Sequence, residues 1–72
     1  IPGDSKNYEV RNNDKDLTDY NSGSMGYHFE LHDTRKSDNS KVGDFYVDST
    51  SGKVYKAGSG SGVSEFDFST LK

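Results

Sequence analysis

The sequence predicts a mainly β fold, a small antiparallel meander of three to four strands with room for one short helical turn. Helix formers are scarce, since alanine occurs only at position 57 and glutamine is absent. Ser, Gly, Asp, Asn, Tyr, Val and Phe dominate instead, and this mixture is typical of strands joined by turns. Several segments also alternate apolar and polar residues with the period of a strand. An α-rich fold is therefore not expected.

The segment 26–33 carries the clearest strand pattern. Every second residue is apolar and the residues between are polar: Tyr27, Phe29 and Leu31 alternate with His28, Glu30 and His32. Strict period two over this length is typical of a half-buried strand. We expect the apolar set to face the core and the polar set to be largely exposed.

The segment 43–57 predicts a hairpin. Residues 43–50 form its first strand and residues 53–57 its second. The tight turn between them ends at Gly52, which supplies the positive φ that a short hairpin needs. The positions expected to face the core are Phe45, Val47 and Val54.

The remaining segments are interpreted from composition and length. In chain order we expect a flexible entry over 1–7, a short edge strand over 8–11, a Gly/Ser hinge over 58–62, and a docking tail or last strand over 63–72. Residues 17–20 are too few to assign, and Asp16 is suited to cap a single helical turn there. A chain of 72 residues has the length of one domain. We therefore treat residues 1–72 as a single small β-rich module.

The core is expected to be thin and aromatic. Only 28% of the residues are hydrophobic, and without cysteine the domain has no disulfide to stabilise it. Five tyrosines and four phenylalanines supply much of the apolar surface, because each buries about 150–250 Å² when packed. A composition this polar is also typical of disorder. The concentration of the aromatic residues in alternating runs favours a folded domain.

Charge and motifs argue against several function classes. The net charge is −3 and the basic residues are scattered among acids, which does not predict a nucleic-acid surface. No apolar run approaches the roughly 20 residues of a membrane-spanning helix. The chain has no nucleophilic cysteine and no Gly-x-Ser-x-Gly motif, and Gly58–Gly62 lacks the lysine of a phosphate-binding loop. We expect a protein that is not an enzyme and carries no cofactor.

His28, Glu30 and His32 are the side chains that a metal-dependent module would use. Residues two apart on a strand share a face at about 6.6–7 Å, but His28 and His32 are roughly 13 Å apart along a straight strand. Zinc normally takes three or four protein ligands, so further acids would have to come from across the sheet. A solvated polar face is the simpler interpretation, and a metal-dependent module is the alternative.

The predicted hairpin resembles the closing hairpin of PepSY-type modules. Residues 43–55 read GDFYVDSTSGKVY, which is similar to the YYVD..TG.V pattern of that family, and residues 27–33 resemble the strand that pairs with it. The resemblance covers about thirty residues of the chain. It implies a non-catalytic bacterial module of an exported protein or lipoprotein, located outside the cell or in the cell envelope.

We expect a secreted or cell-surface binding module that contacts a protein or peptide. The candidate partner-binding residues are Phe66, Phe68, Tyr46 and Tyr55. Sheet edges carry unpaired backbone groups that recruit extended peptides. On this hypothesis the tail completes the sheet and the opposite edge receives the partner. The alternative is a structural spacer domain within a larger surface protein.

Overall fold

The computed structural model describes residues 7–38, 40–58, 60 and 62–70. Their strands form one antiparallel sheet, and a single 3-10 turn follows the last strand. The elements are β1 (Tyr8–Arg11), β2 (Thr18–Asn21), β3 (Ser24–Asp33), β4 (Lys41–Asp48), β5 (Val54–Ala57), β6 (Val63–Glu65) and the 3-10 turn Phe68–Thr70. The predicted mainly β, antiparallel fold is confirmed, with six strands in place of three to four. No helix in the described ranges is long and apolar enough to cross a membrane.

The long central strand β3 organises the sheet. One side of β3 pairs with β4, and β5 and β6 follow in order. The other side is shared by two short strands, with β1 beside the end of β3 and β2 beside its start. Between them the Asp14 N–H donates to the His28 carbonyl at 2.9 Å, so the β1–β2 connection continues the hydrogen bonding along β3.

Residues 17–20, left unassigned from the sequence, form no helical turn, because Thr18 to Tyr20 belong to strand β2. Ser22 and Gly23 both have positive φ, at 47° and 97°, which is the geometry of a two-residue hairpin turn between β2 and β3. The Asp19 carboxylate accepts hydrogen bonds from the N–H groups of Asn21 and Gly23. The positive φ angles and the Asp19 hydrogen bonds fix the β2–β3 turn. A strand of four residues is too short for an alternating pattern to be recognised in the sequence.

The core lies on one face of the sheet. Phe29, Leu31 and Phe45 are completely buried, and Tyr8 is nearly so. The residues that pack against them while partly exposed are Val10, Val42, Val47, Val54, Phe66 and Phe68. The prediction for five of the six core positions is thus confirmed. Tyr27 is the exception, since it is 37% exposed at the end of the face.

The tail closes the sheet and also covers the core. Strand β6 pairs with β5, and beyond it Phe66 and Phe68 turn onto the buried aromatic rings. The Phe66 ring stands edge-on to Phe45, with 5.0 Å between centroids. The predicted hinge is the connection from β5 to β6, where the Gly58 N–H donates to the Gly62 carbonyl at 2.9 Å. Of the expected flexible entry, residues 1–6 lie outside the described residues.

An ion pair between buried Asp33 and exposed Arg35 closes the other end of the core. Asp33 is buried and bonds the Arg35 guanidinium through both carboxylate oxygens, at 3.0 Å each. The guanidinium also lies over the Tyr8 ring and donates to the Tyr8 hydroxyl. The Arg35 side chain holds the pKa of the Asp33 carboxyl below its ordinary value. The bonds to the Arg35 guanidinium compensate the Asp33 charge, which would be costly to bury alone.

Candidate functional site

The four predicted partner-binding residues lie on opposite faces of the sheet. Tyr46 and Tyr55 are direct cross-strand neighbours on the face away from the core. Phe66 and Phe68 pack on the core face, where they remain partly exposed. One ligand lying on one face therefore cannot contact all four side chains.

Tyr20 joins the two tyrosines on the outer face, and sequence reasoning missed it. Its ring stacks on Tyr46 at 5.3 Å between centroids and lies 5.5 Å from Tyr55. The ring crosses β3 directly over Gly26, whose missing side chain leaves the space. A glycine inside an alternating strand was the available signal, because it often marks the close approach of another group.

The Tyr20 hydroxyl is held by Asp48. It donates to the Asp48 carboxylate at 2.6 Å, and burial together with this bond raises the pKa of Tyr20 to about 12. The same carboxylate accepts the N–H groups of Thr50 and Ser51 in the β4–β5 turn. These bonds, led by the one from Tyr20, lower the pKa of Asp48 to about 2. The tyrosine cluster is thereby tied to the hairpin turn.

We expect Asp48→Asn to lower the melting temperature at neutral pH and to lose this effect in acid. A carboxyl whose pKa falls from 3.8 to about 2 on folding stabilises the folded state above pH 3.8. That contribution disappears as the pH falls through about 2. In thermal melts, the melting temperatures of parent and variant should converge as the pH falls through this range. Asp16→Asn, in the exposed β1–β2 connection, is the control, and a pH-independent gap for Asp48→Asn would contradict the assignment.

The polar side chains of β3 are less exposed than predicted. Side-chain exposure is 21% at His28, 19% at Glu30 and 13% at His32, so the expectation of a largely open face is wrong. Tyr46 and the carboxylates of Asp14 and Asp44 contact His28. The β1–β2 connection supplies Asp14, and a connection that folds back onto the sheet leaves no periodic signal in the sequence.

The two histidines bond different carboxylates and do not converge. His28 Nε2 lies 3.0 Å from Asp44 Oδ1, and His32 Nε2 lies 2.9 Å from Glu30 Oε1. The neighbouring histidine holds the pKa of each of these two carboxyls below its ordinary value. In the part of the chain that the structure describes, no group of three or more His, Asp or Glu side chains is arranged to hold a metal ion. The contacts of His28, Glu30 and His32 are those of a hydrogen-bonded polar face.

An open groove of about 570 Å³ lies where β6 ends. Its apolar side chains are Val54, Phe66 and Phe68, and its polar ones are Lys53, Glu65, Asp67 and Ser69. The Lys53 ammonium is 4.0 Å from the Glu65 carboxylate, and both side chains are more than half exposed. A groove with an apolar side and a charged rim suits an amino-acid side chain that enters from an extended segment.

Strand β6 borders this groove and forms an edge of the sheet. The Phe66 N–H donates to Val54 and the Gly58 N–H donates to Gly62, so residues 62, 64 and 66 face β5. In an antiparallel pair the residues between them direct their backbone groups outward. The N–H and C=O groups of Val63 and Glu65 therefore point away from β5. Among the described residues, no strand pairs with β6 on that side.

The opposite edge, which the sequence-based hypothesis assigned to the partner, is not continuous. It is divided between β1 and β2, with the hydrogen-bonded connection at Asp14 between them. Tyr8 and Val10, the two residues of β1 whose backbone faces outward by the same alternation, already take part in further interactions. Of the two edges, β6 has the stronger geometry for receiving another strand.

Comparison with family models, curated proteins and solved structures finds no match to this chain. Residues 43–55 do form the hairpin of β4 and β5, and β3 pairs with it. The resemblance of this hairpin to PepSY-type modules remains a prediction.

Proposed function

We propose that this chain is a non-catalytic binding module that captures an extended segment of a protein or peptide as an additional strand beside β6. The observation that carries the proposal is the outward-facing backbone of Val63 and Glu65 next to an open groove. In strand addition, main-chain hydrogen bonds supply affinity and pockets for alternate side chains supply selectivity. In this chain the outward-facing backbone of β6 and the groove lie side by side.

The groove is the place for one side chain of the added strand. Phe66 and Phe68 are anchored by their contacts with the core, with 5.2 Å between their ring centroids. A rigid aromatic surface gains binding energy from apolar burial without the entropic cost of ordering it. The predicted role of Phe66 and Phe68 in partner binding is retained in this form. Tyr46 and Tyr55, on the other face, are not part of the proposed groove.

A location outside the cytoplasm belongs to the same proposal. It rests on the resemblance to modules of exported proteins. A passive spacer with no ligand is the competing interpretation, and it predicts no selective binding at β6.

The test is selection of short linear random-sequence peptides on the isotope-labelled chain, followed by NMR titration of those selected. We expect the Val63 and Glu65 amides to shift and to become protected from exchange with solvent. Glu65→Pro is the diagnostic variant, because it removes an outward N–H that the sheet does not use. Loss of one backbone hydrogen bond should weaken binding about tenfold.

Glu65→Ala is the matched control, since it removes the same side chain and keeps every backbone donor of β6. Parent, Glu65→Pro and Glu65→Ala should have similar melting temperatures. Shifts that map to Tyr46 and Tyr55 in place of β6 would contradict the proposal. Equal affinity of parent and Glu65→Pro, or a selection that yields no binder, would contradict it as well.

A further inference from the structure

We infer that the captured segment carries a lysine or arginine directly opposite Glu65 and an apolar residue at the next position. This inference rests on the proposed strand addition and specifies its partner. It follows from the two faces that an added strand would present, one beside Glu65 and one beside the groove.

The first requirement comes from the outer face. Glu65 is the direct cross-strand neighbour of Tyr55, so a residue added opposite Glu65 has a carboxylate beside it and an aromatic ring one strand further on. The Glu65 carboxylate favours a cation at this position, through an opposite-charge cross-strand pair. The Glu65 side chain is 60% exposed and is only weakly engaged by Lys53, at 4.0 Å.

The second requirement comes from the alternation of side chains along a strand. A neighbour of the cation points to the other face. That face carries Phe66 and Phe68 and opens into the groove. An apolar side chain fits the aromatic side of this groove, where a charge would lose hydration on entering.

The acidic side chains of residues 63–70 disfavour acidic partners. Residues 63–70 contain Glu65 and Asp67 and no basic residue. Among the described residues, Lys53 is the one cation that lines the groove. An acidic segment would therefore place like charges side by side, which destabilises a strand pair. Charge complementarity points to a basic, apolar segment and selects against an acidic one.

The test uses two blocked peptides, Thr-Val-Lys-Val-Lys-Val-Thr and the same sequence with glutamate in place of each lysine. NMR titration at low salt should show the lysine peptide shifting the Val63 and Glu65 amides and binding about fivefold more tightly than the glutamate peptide. The preference should shrink at high salt because exposed charges are screened. The variant Glu65→Lys should reverse it.

Asp16→Lys is the control, because it makes the same change in net charge at an exposed position of the β1–β2 connection. It should preserve the preference for the lysine peptide. Equal binding of both peptides at β6 would overturn this inference and leave strand addition standing. Failure of both peptides to shift the β6 amides would overturn strand addition and the inference with it. Concentration-dependent shifts of these amides without peptide would show that a second copy of the chain is the occupant, contrary to the inference.

Discussion

Phe29→Ala is expected to lower the free energy of unfolding by about 3–5 kcal/mol. The ring is completely buried, stacked on Phe45 at 5.4 Å between centroids and packed near Phe68 at 6.5 Å. Its removal forfeits the transfer energy of the ring and leaves a space that the sheet cannot collapse to fill. A domain of this size has a free energy of unfolding of only roughly 4–11 kcal/mol, so the variant should lose a large part of its stability.

Urea denaturation followed by circular dichroism measures this loss. Tyr27→Ala is the matched control, since it removes an aromatic ring from the same strand at a position that is 37% exposed. We expect the control to cost much less than Phe29→Ala. A cooperative transition of Phe29→Ala near the parent midpoint would contradict the assignment of the core.

Gly26→Ala is expected to be the most damaging of the glycine substitutions in the sheet. A Cβ at this position would lie 2.5 Å from the Val47 carbonyl oxygen and 3.0 Å from Cε1 of Tyr20. The first contact is with backbone, so β3 and β4 would have to move apart. The expected loss is about 1–3 kcal/mol or more, as for other overpacked sites.

Gly60→Ala provides the comparison, because a Cβ there meets no atom within 4 Å. Thermal melts should show a clear decrease for Gly26→Ala and little change for Gly60→Ala. Displacement of the Tyr20 ring should also move its resonances in NMR spectra. Equal melting temperatures for the two variants would show that the sheet accommodates the Cβ and that Tyr20 does not require glycine beneath it.

Periodicity predicted the long strands because burial on one face requires it. Phe29 and Leu31 in β3, and Phe45 in β4, alternate with polar residues over enough positions for the pattern to be unambiguous. The turn after β4 was equally clear, since Gly52 has φ of 74° as a short hairpin requires. These features are local, and local sequence suffices to specify them.

The short strand β1 was predicted over residues 8–11, but β2 escaped prediction because its stability comes from its neighbours. β2 has four residues and one half-buried ring, and what holds it is the hairpin with β3 and the contact of Tyr20 with Tyr46 and Tyr55. The hairpin is local, whereas Tyr46 and Tyr55 are distant from Tyr20 in the sequence. A helical turn and a strand were therefore indistinguishable over residues 17–20.

By itself the sequence determined the class of the protein: a β-rich domain with an aromatic core, a hairpin over residues 43–57 and a tail able to reach that core. Only the tertiary structure decided which surfaces remain available. It directed Phe66 and Phe68 to the core face, and it left β6 as an edge beside a groove. The reason is physical, since alternation specifies the two faces of each strand but not the order of strands in the sheet. Strand order is set by long-range pairing and by the loops that fold back over the sheet.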